Sequence, residues 1–185
     1  MYNNFMAGDA THILFTEQQI QQKVQELARE MSKEYRGKKP VLIGILKGSV
    51  VIMADLLRAL YKEGITDIEI DFMTVSSYGK AKEYSGTSTI LSDVAKDIQG
   101  RDIIIVEDII DTGHTLKFIK KYLLEKNPAS LKIVAFLDKK AKREVDVDVD
   151  YTGFTLSGTP WVEGYGLDGG EYGRGRPDIA EKVIA

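Results

Sequence analysis

Two spacings of apolar residues alternate along the chain. Behind Thr16-Glu17-Gln18-Gln19, which has the form of a capping box, Ile20, Val24, Leu27, Ala28 and Met31 share one helical face, and Arg36-Gly37-Lys38-Lys39-Pro40 closes it. Val41 to Leu46 is then a continuous apolar run, as expected of a strand buried on both faces. Lys47-Gly48-Ser49 breaks it, and Val50, Met53, Ala54, Leu57 and Leu60 predict a second helix. Ile68 to Val75 predicts a strand, Ile103 to Val106 another, and Leu116, Ile119, Tyr122 and Leu123 a helix. Leu131 to Leu137 and Tyr151 to Leu156 are further core strands. Between them Glu144 to Asp150 alternates valine with acid, which predicts a charged edge strand. Strands alternating with helices predict an α/β domain with a mainly parallel central sheet and helices on both faces.

One stretch does not fit either spacing: residues 76–88, thirteen small and polar positions from Ser76 to Ser88. A loop of that length inside an α/β domain is expected to serve as a lid.

Composition narrows the class without choosing a chemistry. The 185 residues, 43% hydrophobic and 29% charged, suit one domain spanning 1–185. A net charge of −3 gives no overall attraction to nucleic acid or to an anionic membrane. The absence of cysteine excludes disulfides, thiolate metal sites and a cysteine nucleophile. No apolar run approaches the ~20 residues of a membrane helix, and Met1 to Asp9 lacks the features of a signal peptide, so the expected compartment is the cytoplasm.

The chemistry concentrates around Ile103 to Thr115. Glu107 and Asp108 stand where the strand is expected to emerge, and Asp111-Thr112-Gly113-His114-Thr115 forms a polar turn into a helix. Open N–H groups at a helix N-terminus favour an anion such as phosphate. Gly113 allows a close backbone approach, and the Thr112 and Thr115 hydroxyls are donors. The two acids are acceptors suited to the vicinal hydroxyls of a sugar, and with a diphosphate present they attract Mg²⁺. Asp111, between the two, is placed to handle a proton. Lys47-Gly48, also a strand-to-helix turn, sets a cation beside free N–H groups.

Val106-Glu107-Asp108-Ile109-Ile110-Asp111-Thr112-Gly113 resembles the phosphoribosyl pyrophosphate (PRPP) motif of the type I phosphoribosyltransferases, in particular their hypoxanthine-guanine branch. The resemblance extends over about residues 10 to 176, with its blocks in family order. It implies the type I phosphoribosyltransferase fold, with a small hood over the base made by the N-terminal segment and residues 151–185. It further implies that Lys47, Gly48 and Arg174 meet pyrophosphate, that the peptide before Lys47 is often cis, and that Ser77-Tyr78 belongs to the lid. Lys139, just past its strand, would donate to the O6 of a 6-oxopurine. Trp161 would stack on the purine, Val162 would bond it through backbone groups, and Asp168 would bind Mg²⁺ through water. The backbone N–H of His114 would matter more than its imidazole.

The function implied is purine salvage by a pentosyltransferase: 5-phosphoribose passes from PRPP to hypoxanthine or guanine, with xanthine a further candidate, giving IMP or GMP and pyrophosphate. Asp111 would be the catalytic base. A homodimer or homotetramer is expected, and a nucleic-acid-binding role is not. Glu163, where an apolar residue is expected, and Gly169-Gly170, where a bulkier pair is expected, depart from the family pattern near the C2 edge of the base.

Overall fold

The computed structural model describes residues 11–76, 88–170 and 172–182. A five-residue strand, β1 (Thr11–Phe15), leads into α1 (Glu17–Tyr35), whose N-terminus is closed as the sequence predicts. Thr16 Oγ1 accepts from the Gln19 N–H, and the Gln19 side chain accepts from the Thr16 N–H at 2.9 Å. The chain then runs through β2 (Val41–Leu46), α2 (Val50–Lys62), β3 (Glu69–Ser76), β4 (Thr89–Ser92), β5 (Asp102–Ile110) and α3 (His114–Leu124). It ends with β6 (Ser130–Asp138), a 3₁₀ turn at Lys140–Lys142, β7 (Tyr151–Thr155), β8 (Val162–Glu163) and β9 (Ile179–Lys182).

Six strands form the central sheet in the order β4-β3-β2-β5-β6-β7, parallel except for β4. Alternation along the strands sorts their side chains into two cores. Leu42, Ile104, Val106, Val134 and Phe136 pack beneath α1 and α2, while Ile43, Ile103, Ile105, Ile133 and Ala135 pack beneath α3. This is the expected fold class, with helices on both faces. The second sheet, β1-β9-β8, is antiparallel and joins the start of the described chain to its end.

Three details differ from the expectations. The buried face of α2 is Ile52, Met53, Leu56, Ala59 and Leu60, so Val50 and Ala54 point outward. Nothing about helical spacing alone separates two adjacent apolar stripes. β5 does not stop at Val106: its ladder with β6 continues to Ile110 opposite Asp138, so Glu107 and Asp108 lie within the strand. Residues 144–150 form no strand. Two parallel neighbours, β6 and β7, need a crossover between them, and this segment is part of it. Its valines are half-buried and its acids exposed, while Glu144 and Val145 donate backbone N–H groups to the Thr112 carbonyl. The alternation is that of a strap with one wet side.

Candidate active site

The C-terminal ends of β2, β5 and β6 meet along one edge of the sheet, the usual ligand position in an open α/β sheet. β2 delivers Lys47 and Gly48 through a cis Leu46–Lys47 peptide. The side chain of Lys47 is exposed, whereas Gly48 is buried. A Cβ at position 48 would overlap the Asp108 carboxylate, and a Cβ at Gly166 would overlap the Gly48 carbonyl. The Lys47-Gly48 loop is thus held between β5 on one side and the loop after β8 on the other.

Glu107, Asp111, Thr112, Gly113 and Thr115 line a cavity of about 210 Å³ together with Leu46 and other apolar residues. That is small beside the ~300–1,000 Å³ of a drug-sized pocket and suits a sugar phosphate. At its floor α3 begins at Gly113, a left-handed residue with φ 91°, without a side-chain cap and with no acid in its first turn. These are the conditions that leave a helix N-terminus open to an anion. The glycine is needed here for its backbone conformation and for close packing: a Cβ would come within 3.0 Å of Arg143 Cδ and of the Val145 carbonyl. The imidazole of His114 is directed to Glu144, 3.0 Å away on the strap.

The two acids of β5 are the strongest electrostatic feature of the site. Burial, then the negative charge of Asp108 and a hydrogen bond to it, hold the Glu107 carboxyl well above the ordinary carboxylate range. Burial also raises Asp108, against the opposing effects of the Ile109 N–H, Glu107 and Arg174. Among the described residues Glu107 Oε2 is buried without a hydrogen-bond partner. A pair of this kind destabilises the free protein once ionised. Between the ordinary value of 4.5 and the raised value, the folded chain binds more protons than the unfolded one, so stability falls as pH rises through that window. Glu107→Gln is therefore expected to raise Tm at pH 8 by about 2–4 °C, the shift that ~1 kcal/mol gives in a chain of this size. The gain should vanish near pH 4, where the native residue is protonated in both states. Calorimetric melts at the two pH values test this, and a lower Tm at pH 8 would contradict it.

β6 contributes Asp138 and Lys139, both buried. The ammonium of Lys139 is held below its ordinary value by burial, with Asp111 opposing and Lys142 adding to the effect. Asp138 is ion-paired with Arg143, and Lys142 Nζ donates to Asp111 Oδ2 at 2.8 Å. The basic run Lys139 to Arg143 braces the site at three positions, Lys139, Lys142 and Arg143. Basic composition alone carries no signal for that.

The remaining residues expected at the site lie in or beside the small sheet. Val162 is buried and paired with β9, while Trp161 is 52% exposed. Arg174 Nη1 donates to the Gly166 carbonyl at 2.7 Å and Nη2 pairs with Asp168 at 2.9 Å. Tyr165, at φ 50°, donates its hydroxyl to Asp55 on α2 at 2.7 Å, a tie that no sequence pattern announces. Glu163 rests against Gly169 and Gly173, where neither position leaves room for a Cβ without displacing it, and Arg176 Nη1 lies 3.9 Å from its carboxylate. The unexpected acid and the unexpected glycine fit together. Ser77 and Tyr78 lie outside the described residues, as does most of the expected lid.

Comparison with known proteins adds four findings. A family model, the phosphoribosyl transferase domain, matches residues 11–168. The chain is 43% identical over 173 residues to a hypoxanthine-guanine phosphoribosyltransferase of Aquifex aeolicus, covering 93% of this chain and 94% of that one. A relative of the same name in Lactococcus lactis is 46% identical over 167 residues, covering 90% and 88%. Among solved structures, a hypoxanthine phosphoribosyltransferase of Staphylococcus aureus superposes with a TM-score of 0.90 at 39% identity, covering 99% of this chain and 97% of that one.

Proposed function

This chain belongs to the phosphoribosyl transferase family, and we propose that it transfers 5-phosphoribose from PRPP to N9 of hypoxanthine or guanine, releasing pyrophosphate. The observation that carries the reading is the shared cavity, in which an uncapped helix N-terminus and a buried carboxylate with an unpartnered oxygen line one space. The first suits the 5′-phosphate and the second the ribose hydroxyls.

In the reaction N9 forms a bond to C1′ while the C1′–O bond to pyrophosphate breaks, and the electron pair leaves with pyrophosphate. The N7 proton of the base passes to Asp111, whose Oδ1 is buried without a partner among the described residues. Glu107 and Asp108 fix the ribose, Lys47 and Arg174 offset the charge of the leaving group, and Lys139 donates to O6. Trp161 stacks on the ring, worth about 0.5–1.5 kcal/mol beyond the area buried, and Val162 bonds the base through its backbone. The 2-position of the purine is the least determined contact, because Glu163 and Gly169 alter the loop that faces it. The lid, with Ser77 and Tyr78, would exclude water that otherwise captures an oxocarbenium-like centre.

Among the described residues no three metal-ligating side chains cluster, which suits an ion held jointly by one or two carboxylates and substrate phosphates. The orphaned oxygen of Glu107 fits that role. Mg²⁺ bound with the diphosphate would stabilise the departing charge, with Asp168, Glu107 and Asp108 as its protein partners. No helix among the described residues is long and apolar enough to cross a membrane, and we place the activity in the cytoplasm, in a homo-oligomer.

Incubating the chain with PRPP, Mg²⁺ and each purine in turn, and measuring nucleotide and pyrophosphate, tests the reading. IMP and GMP are expected, and AMP is not, since Lys139 offers a donor where adenine carries an amino group. Equal formation of AMP, or no nucleotide with any base, would contradict it.

A further inference from the structure

Asp111 has two oxygens in unlike surroundings. Oδ2 accepts from Lys142 Nζ at 2.8 Å, whereas Oδ1 is buried and without a hydrogen-bond partner among the described residues. A buried acceptor left unpaired is costly, so an orphan of this kind marks a place where a donor arrives. Two lysines converge on the same carboxylate: Lys139, buried at the end of β6, interacts electrostatically with both Asp111 and Lys142. Of the two, Lys142 makes the ion pair.

The placement of Lys142 is built into the chain rather than left to a mobile side chain. It closes the 3₁₀ turn Lys140–Lys142, where its N–H donates to the Lys139 carbonyl at 2.9 Å and the Arg143 N–H donates to the Lys140 carbonyl at 3.2 Å. Arg143 in turn is anchored on buried Asp138. The same strap then donates to the Thr112 carbonyl, one residue from Asp111.

Resting on the function proposed above, we infer that Lys142 is a positioning residue for Asp111. It ties down Oδ2 so that Oδ1 faces the incoming N7–H, and it satisfies the carboxylate so that Lys139 stays with the oxygen of the base. Without Lys142, attraction would draw the Lys139 ammonium toward Asp111 and occupy the acceptor that the proton needs. Both side chains are partly exposed (43% and 41%), so the pair is screened and its loss should cost far less than loss of Asp111 itself.

Steady-state kinetics of the wild-type chain, Lys142→Met and Lys142→Arg with PRPP and hypoxanthine test the inference. The methionine keeps the stem and removes the charge. It is expected to lower kcat about 3–10-fold while leaving the PRPP KM and Tm as in the wild type, and arginine is expected to restore kcat. A kcat within twofold of wild type in Lys142→Met, or equal losses in the two variants, would overturn it. Absence of turnover in the wild-type chain would instead overturn the transferase reading, and this inference with it.

Discussion

Asp111→Ala is expected to lower kcat by about 10²–10⁴, the range for removing a positioned general base. The argument rests on position and on the partnerless oxygen. Asp111 is the first residue past β5, on the wall of the cavity of about 210 Å³, and its Oδ1 is buried with no donor among the described residues. The product nucleotide carries its ribose on N9 and no proton on N7, so a proton must leave as the bond to C1′ forms. The other carboxylate that lines the cavity, Glu107, resists ionisation, because burial and the negative charge of Asp108 hold it well above the ordinary carboxylate range. Asp111→Asn keeps the shape and removes the base, so it should lose kcat comparably with a smaller change in PRPP KM. Steady-state rates for both variants check this, and a near-wild-type kcat would remove Asp111 from proton handling.

Gly48→Ala is expected to lower kcat/KM by about 10²-fold, the penalty for misplacing reacting groups by roughly 1 Å. One added methyl group has nowhere to go. It would overlap Asp108 Oδ2, and the opposite side of the loop is closed by Gly166, whose own Cβ position overlaps the Gly48 carbonyl. Either Asp108 turns away or the Lys47-Gly48 loop shifts against the loop after β8, and both moves disturb the site. Some stability should be lost as well, about 1–3 kcal/mol for an overpacked position. Rates and thermal melts on the purified variant separate the two effects. Wild-type kinetics would show that Asp108 and Gly48 are not held against each other.

Much of this architecture is carried by short-range features of the chain. The unbroken apolar runs at 41–46, 103–106 and 131–137 identify three central strands because burial on both faces demands such runs. The capping box at Thr16 and the turn at Asp111 to Thr115 mark helix starts with hydrogen-bonding residues that have few other uses. What the sequence does not reveal depends on tertiary partners. Glu107 and Asp108 belong to β5 because β6 continues alongside them, and no local property of an acidic pair says so. The valines of 144–150 alternate as an edge strand would, yet a crossover packed on one side has the same need. β1, β8 and β9 are two to five residues long and form a sheet only because the two ends of the described chain come together.

The site shows the same division. Its acids, the turn from Asp111 to Thr115 and Lys139 can be found by residue type and position, since each lies in the second half of a strand or just past its end. The bracing residues cannot. Lys142, Arg143, Tyr165 and Arg176 reach their partners across 31, 5, 110 and 13 positions of sequence respectively. Glu163 looks out of place until Gly169 and Gly173 are seen beside its carboxylate. Of the departures from the family pattern, Glu163 and Gly169 pack against each other, whereas a Cβ at Gly170 would meet nothing within 4 Å.

A crystal of the chain grown with IMP tests whether one pocket holds both the phosphate and the ribose. The expected density places the 5′-phosphate within hydrogen-bonding distance of the backbone at residues 112–115, with the ribose hydroxyls against Glu107 and Asp108. Nucleotide bound elsewhere, with that pocket left to solvent, would contradict every role assigned here.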